Sequence, residues 1–477
     1  MHRSTDYAPV TDRILHELRT VVGASHVIAG DSEALEAFSH DEIPDRTYAH
    51  EPEVVVNAAT AEEVAAVLQL ANREHIPVTP RGAGSGLSGG AVPVYGGIVL
   101  RTDRMNRILD VDLENMMVVV EPGVVTAAIN ENLRGSGLFY AGYPMSLETC
   151  FVGGNVAENA GGGKAVKYGV TGRYVLALQV VTPTGEIVRM GGKLIKDVSG
   201  YNLVQLMVGS EGTLGVITEI TLRLSPEPKA SADLLVTFPD TGTAITLVSR
   251  IMTETGITPT ALEFIDRGSF AQTCRYLNES LPYEDAGAVL IITVDGPDRE
   301  QVEREYETIG SLCSDHGAIE VYVADTRADS ERVWRVRRNI AESYALISPD
   351  QANEDLVVPP ARIPELIAGM EEIATRHKIL IPAYGHAGDG NIHTRIVRDA
   401  AWTNEQWTER LPIILDELYT LTAELGGRIS GEHGIGHKRK AHLPRFVAPE
   451  YVELMRTIKR AMDPNGILNP GKIFDPT

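Results

Sequence analysis

The sequence predicts an α+β protein, with a first domain of mixed strands and helices and a second built on an antiparallel sheet. Three observations carry this. In the first half, two glycine-rich loops are set among short strands and helices. In the second half, strands alternate with long charged helices, a pattern that suits an antiparallel sheet. Between the halves, Pro226-Glu227-Pro228 marks a break. The expected organisation is a first domain over 1–228, a second over 229–440, and a segment over 441–477 that packs back on the first. A chain of 477 residues, 43% of them hydrophobic, is long enough for two or three such cores.

The elements follow in order. Val10, Ile14, Leu15, Leu18, Val21 and Val22 recur at helical spacing over 9–22. Residues 31–50 read as loop, and 54–56 as a short strand. Thr60, three residues before Glu63, is a capping box for a helix with the apolar stripe Val64, Val67, Leu68 and Ala71. A strand over 76–79 runs into the first glycine loop. Further strands are expected at 97–100 and 117–121, and a helix at 125–134. Strands at 177–181 and 187–189, joined through Pro183-Thr184-Gly185, form a hairpin. A helix at 203–208 precedes an alternating strand at 216–224. In the second domain, strands are expected at 234–237, 289–294 and 319–323, with helices near 299–316, 330–344 and 363–377. Segments 379–384 and 391–397 flank Gly388-Asp389-Gly390 as a second hairpin, and a helix follows at 407–425.

The chain is organised around its glycine loops. The stretch 142–169, GYPMSLETCFVGGNVAENAGGGKAVKYG, holds seven glycines. The stretch 80–90 reads PRGAGSGLSGG. Glycine at this density lets the backbone approach a bound group closely, and successive N–H groups form anion sites. Two such loops separated by strands point to a phosphate-bearing cofactor lying extended between them. Neither loop reads GxxxxGK[ST], and Leu87 stands where GxGxxG needs its last glycine, so a nucleotide-hydrolysis loop and a dinucleotide fingerprint are both unsupported.

Composition excludes other classes. A net charge of −22 opposes nucleic-acid and anionic-membrane binding, and demands a locally positive site for any anionic substrate. Cys150, Cys274 and Cys313 are far apart with no CxxC, so neither an iron–sulfur cluster nor a zinc knuckle is expected, and a reducing compartment is. The N-terminal stretch mixes charges without an apolar core, unlike a signal peptide. No run approaches the roughly 18 apolar residues of a membrane span. A soluble, cytoplasmic protein is expected.

Several ordered motifs together carry a family resemblance over residues 30–475. PRGAGSGLSGG, GGNVAENAGGGKAVKYG, VTPTGEIV and GSEGTLGVIT resemble the FAD domain of the vanillyl-alcohol oxidase/p-cresol methylhydroxylase superfamily. WRVRR at 334–338, GHAGDGNIH at 385–393 and SGEHGIG at 430–436 resemble the glycolate oxidase FAD subunit and the D-lactate and D-2-hydroxyglutarate dehydrogenases. The resemblance implies a PCMH-type FAD-binding domain of two α/β subdomains, capped by an antiparallel-sheet substrate domain. It implies that Pro80, Arg81, Gly82, Ala83, Gly84, Ser85, Gly86 and Leu87 hold the pyrophosphate together with Gly153, Gly154, Asn155, Asn159, Gly161, Gly162, Tyr168 and Gly169. Pro144 and Ser146 would lie along the cofactor, with Glu211 also in contact. Gly215, Val216 and Ile217 would meet its adenine side, and Asn469 its ring. Ser85 and Gly86 occupy the region where some relatives carry a histidine that attaches FAD, so non-covalent FAD is expected.

His386 and His393 sit on opposite arms of the second hairpin, where facing side chains can converge on one ion. His393, Arg395 and Val397 share a strand face. Glu432 comes from a separate glycine-flanked turn. Spacing alone admits metal ligation and plain turn chemistry equally; the resemblance selects ligation by His386, His393 and Glu432, an open three-ligand set for Zn²⁺, Fe²⁺ or Mn²⁺. His433 is then the general base and Arg338 the substrate arginine, although Arg335, Arg337 and Arg338 also read as a solvated helix face. Arg395 departs from the family pattern, where some members carry an amide; it is a second carboxylate clamp or a residue that narrows the site to short acids. His437 and His442 are expected at the surface.

The implied activity is oxidation of a small D-2-hydroxy acid, D-lactate or glycolate rather than a dicarboxylate. Electrons would pass to an iron–sulfur subunit, an electron-transfer flavoprotein or a quinone. A second copy of the chain is one further partner. The competing reading is a redox-neutral FAD transferase of the alkylglycerone-phosphate synthase type. A weaker one is a subunit that only relays electrons.

Overall fold

The computed structural model describes residues 7–281 and 285–475. The chain forms two compact units, one of Met1–Gly161, Val170–Pro226 and Glu432–Thr477, the other of Gly162–Gly169 and Glu227–Gly431. The first division falls at the proline break. The return to the first unit comes at Glu432, ahead of the expected 441, and the long glycine loop is shared between the units.

The first unit holds a four-stranded sheet, a five-stranded sheet and a two-stranded ladder between Leu138–Phe139 and Ser225–Pro226. Strands β1 (Val27–Ile28), β2 (Val54–Asn57), β3 (Val78–Arg81) and β4 (Ile98–Arg101) lie in the order β1-β2-β4-β3, with β2, β4 and β3 parallel. Runs such as Val54-Val55-Val56 are apolar throughout because a parallel sheet is buried on both faces. Val54 and Val56 pack with Ile14 and Leu18 of helix Asp12–Val22 and with Val64, Val67 and Leu68 of helix Ala61–Glu74. Val55 and Val99 meet Leu35 on the other face. Thr60 caps its helix as expected, accepting from Glu63 N, and Glu63 returns a carboxylate to Ala59 N.

Strands β5 (Ile108–Asp112), β6 (Met117–Val120), β7 (Val175–Val181), β8 (Ile187–Gly191) and β9 (Val216–Arg223) form an antiparallel sheet ordered β5-β6-β9-β7-β8. The β7–β8 hairpin closes on Val181 and Ile187, as the Pro-Thr-Gly turn indicated. The tail extends the parallel sheet: Val78 N donates to Ile467 O and Asn469 N to Val78 O. The expected loop over 31–50 contains a helix, Ser32–Glu36, started by Asp31 accepting from Ala34 N. A cap without apolar periodicity left it illegible.

The second unit is one seven-stranded antiparallel sheet. Its strands are β10 (Ala230–Phe238), β11 (Ala261–Asp266), β12 (Ala288–Gly296), β13 (Glu320–Ala324), β14 (Gln351–Val357), β15 (Ala383–His386) and β16 (Asn391–Val397), in the order β13-β10-β12-β11-β15-β16-β14. The sequence reading missed β11 and β14, and also helices Thr241–Thr255 and Arg267–Leu277. The expected helix over 330–344 breaks at Asn339 into Arg327–Arg338 and Ile340–Ala345. Ile265, Tyr384 and Val397 pack under these helices in one core with Phe270, Val333, Val336 and Tyr344.

Candidate active site

Antiparallel register brings one chemical face together in the second unit. Across β11, β15, β16 and β14, Glu263 pairs with His386 and His386 with Asn391. One step along, Tyr384 pairs with His393, and His393 with Asp355. Arg395 pairs with Asn353. Directly paired residues point to the same side of a sheet, so Glu263, His386, Tyr384, His393, Arg395 and Asp355 share a face. The two hairpin histidines that the sequence singled out do converge, their rings 5.1 Å apart and nearly perpendicular.

Each histidine has a carboxylate at its back. His386 Nδ1 lies 2.5 Å from Glu263 Oε1, and His393 Nδ1 lies 3.6 Å from Asp355 Oδ1. Both carboxylates are fully buried. The Nδ1–H that His386 donates to Glu263 leaves its Nε2 as a lone pair, whereas Asp355 stands at ion-pair distance from His393. The two Nε2 atoms then face each other at 3.4 Å. Two nitrogens bound tetrahedrally at roughly 2.0–2.1 Å from one ion stand about 3.3–3.4 Å apart, so this pair suits a shared divalent cation.

Arg337 and Arg338 part company here. Arg338 is exposed and forms a surface ion pair with Glu331. Arg337 is buried; its Nε donates to Glu263 Oε2 at 2.7 Å, and its guanidinium stands 5.2 Å above the Tyr384 ring. Its Nη2 is buried with no hydrogen-bond partner among the described residues. Burial alone would raise the Glu263 carboxyl, but His386 and Arg337 together pull it down to about 2. Arg395 has neutral company: its Nε donates to the Tyr384 hydroxyl at 3.2 Å and its Nη1 to Gln351 Oε1 at 2.8 Å. Asp355 takes Asn391 Nδ2, Ser430 Oγ and Gly431 N, fixing the chain immediately before Glu432.

In this unit the arm Gly162–Gly169 covers the face. A Cβ on Gly163 would lie 3.1 Å from Glu263 Oε1 and 3.7 Å from His386. The arm is bolted down through Asp295, which accepts from Lys167 Nζ and the Tyr168 hydroxyl. Tyr168, expected at the cofactor, has its hydroxyl there.

In the first unit the two glycine loops come together beside the Phe151 side chain. A Cβ on Gly82 would lie 3.7 Å from Phe151 and 3.9 Å from Gly154 N, and one on Gly154 would touch nothing within 4 Å. With no side chain on Gly82 or Gly154, the backbone there leaves room for an anionic group such as the diphosphate of a dinucleotide. Gly84, at φ +75°, leaves room for the Arg81 guanidinium, which donates to His40 O. Asn155 is spent on Thr126 and Cys150, and Asn159 caps helix Val152–Glu158 and accepts from Gly172 N. Gly215 packs on Val180, and Val216 and Ile217 are buried in β9. Ser146 is exposed and Pro144 half-buried. Asn469 donates to Gly90 O and Glu211 O, tying tail to loop.

The segment after Glu432 is held by Glu211, whose oxygens accept from Ile435 N and Gly436 N at 2.8 and 2.6 Å. The Glu432 carboxylate lies against Gly161, 3.2 Å from where a Cβ would stand. His437, expected at the surface, packs edge-on to Tyr48 and His50. Burial, then the charges of Lys440 and Lys472, push its pKa down to about 4.

Comparison with known proteins decides the family. A model of the FAD binding domain matches residues 52–191, and one of the FAD linked oxidases, C-terminal domain, matches 227–473. The chain belongs to the FAD-linked oxidases. This FAD-dependent oxidoreductase is 38% identical over 437 residues to "Glycolate oxidase subunit GlcD" of Bacillus subtilis, covering 92% of each chain. It is 39% identical over 472 residues to "D-lactate dehydrogenase" of Anaerostipes hadrus, covering 98% of each. Crystalline p-cresol methylhydroxylase shares its fold, with a TM-score of 0.79 at 19% identity and 97% coverage of each chain. An alkyldihydroxyacetonephosphate synthase structure does too, at TM-score 0.76 and 20% identity, covering 98% of this chain and 87% of its own. Among the described residues of this FAD-linked oxidase, no helix is long and apolar enough to cross a membrane.

Proposed function

We propose that this protein is a metal-assisted dehydrogenase of a small D-2-hydroxy acid, D-lactate or glycolate, with non-covalent FAD. The observation that carries the reading is the imidazole pair His386–His393, set at a metal-ligand spacing beside the buried Arg337. The names borne by the two relatives, a glycolate oxidase subunit and a D-lactate dehydrogenase, agree with it.

FAD, when bound, supplies the hydride acceptor. A divalent ion, when bound, lowers the pKa of a coordinated hydroxyl. The chain supplies the rest. His386 and His393 offer lone pairs, with Glu432 as the third ligand. Arg337, rather than Arg338, anchors the substrate carboxylate, because its Nη2 is a buried donor still in want of an acceptor. Arg395 is the second cation at the same face and selects among acids. His433 takes the proton of the substrate hydroxyl. Electrons leave to a partner, an iron–sulfur subunit or an electron-transfer flavoprotein, in the cytoplasm; a relative named as a subunit supports the partner.

Anaerobic titration tests the reading. D-lactate or glycolate should bleach the oxidised flavin absorbance, and prior metal chelation should abolish the bleaching. A flavin that stays oxidised with D-lactate, glycolate and D-2-hydroxyglutarate alike sinks the dehydrogenase and favours the redox-neutral transferase. Bleaching unchanged by chelation sinks the metal.

A further inference from the structure

We propose that Glu263 is a positioning residue that fixes which nitrogen of His386 carries the proton and where Arg337 points. This rests on the reading above, in which His386 offers Nε2 to a metal ion.

Glu263 stands directly across the sheet from His386 and has no solvent exposure. It spends one oxygen on each partner: Oε1 on His386 Nδ1 and Oε2 on Arg337 Nε. A residue that merely neutralised Arg337 would put both oxygens on the guanidinium fork, the preferred bidentate geometry. Divided this way, the carboxylate holds the imidazole as the Nδ1–H tautomer with Nε2 turned to His393. The same carboxylate anchors Arg337 through Nε and leaves Nη2 for an acceptor. Gly163 lies over the pair, and a Cβ there would stand 3.1 Å from Glu263 Oε1, so any larger residue would crowd the carboxylate. Asp355 cannot serve His386 in its stead, since its oxygens take Asn391, Ser430 and Gly431. The carboxylate thus couples the metal-facing nitrogen to the substrate-facing arginine.

The test compares wild type, Arg337→Met and the double variant Glu263→Leu/Arg337→Met, all FAD-loaded. The double variant removes both buried charges, so a lone buried arginine does not unfold it. Two readouts are taken on ¹⁵N-histidine-labelled protein. In the metal-free state, the His386 ring nitrogens, assigned by their loss in His386→Asn, report the tautomer. Competition with a chromogenic chelator reports Zn²⁺ affinity. Wild type and Arg337→Met should both show Nδ1–H. The double variant should lose it and bind Zn²⁺ about 10- to 100-fold more weakly, the usual effect of removing a carboxylate behind a ligating histidine. If the double variant keeps the Nδ1–H tautomer, the proposal is overturned. If wild type takes up no Zn²⁺, the metal reading falls, while the tautomer readout still decides the role of Glu263.

Discussion

Arg337 and Arg338 are chain neighbours with opposite environments, and each makes a different prediction. Arg337→Lys keeps a positive charge against Glu263 but loses the planar fork that reaches past it. The loss of one charge-assisted hydrogen bond, about 1.5–3 kcal/mol, should lower kcat/KM for the 2-hydroxy acid by roughly 10- to 150-fold. Arg338→Met removes only a surface pair and should leave kcat/KM within about twofold. Equal effects from the two variants would return Arg338 to the site. The choice between them was open to sequence reasoning. Val333 and Val336 set the apolar face of the helix, and Arg337 lies four residues beyond Val333 and three before Ile340, on that face. The run of three arginines masked the period. Glu263 and Asp355 carried a fainter signal: Glu263 sits among the apolar residues of ALEFID, and Asp355 ends the polar run Asn353-Glu354-Asp355 before Leu356 and Val357. Such an acid reads as a strand breaker until its partners, 123 and 36 residues away, are known.

At the scale of elements, the β7–β8 and β15–β16 hairpins were legible because strands and turn are contiguous in the sequence. Strands β11 and β14 were not. Both are buried, yet they carry Glu263, Asn353, Glu354 and Asp355, and the partners of Glu263, Glu354 and Asp355 (His386 and Arg337, Tyr419, Asn391) lie far along the chain. The glycine loops were legible as loops, but not the division of the second one, whose tip is captured by Asp295. The first loop makes a sharp prediction. Gly84 sits at φ +75°, and a Cβ there would stand 2.2 Å from Arg81 Nη2. Gly84→Ala therefore combines a left-handed backbone cost of about 1–2 kcal/mol with displacement of the guanidinium the loop wraps. Gly30, at φ +74° with nothing within 4 Å, is the control for backbone cost alone. The flavin-to-protein absorbance ratio after gel filtration should fall for Gly84→Ala and hold for Gly30→Ala. Retention of flavin by both would show that the loop's shape does not matter to the cofactor.

The whole molecule carries a net charge of −22, and part of that acidity is interred in the first unit. Glu211 and Asp41 are buried there with Arg439 and Lys472, and the half-buried Glu158 turns a carboxylate oxygen in beside them. Motifs revealed the glycine frame around this cluster but not the cluster, because its members come from five separate stretches of chain. Glu158 is the least compensated: its Oε2 is buried without a hydrogen bond among the described residues, and Gly434 approaches so closely that a Cβ there would stand 2.2 Å away. Burial first, then the charges of Glu211 and Asp41, push its pKa well above its ordinary value, against the pull of Arg439 and Lys472. Lys472 is itself pushed down by burial to about 7. The sign follows from linkage. A carboxyl whose folded pKa is raised keeps a proton that the unfolded chain has released, so it costs stability as pH climbs from the unfolded value toward the folded one. Glu158→Gln stays neutral throughout and escapes that cost, about 1.4 kcal/mol for each unit of elevation. The Tm of the variant relative to wild type should therefore rise as pH climbs above about 5. A difference that is flat or falls over that range would mean that Glu158 is ionised in the folded protein and is held by Arg439 and Lys472 as an ordinary buried ion pair.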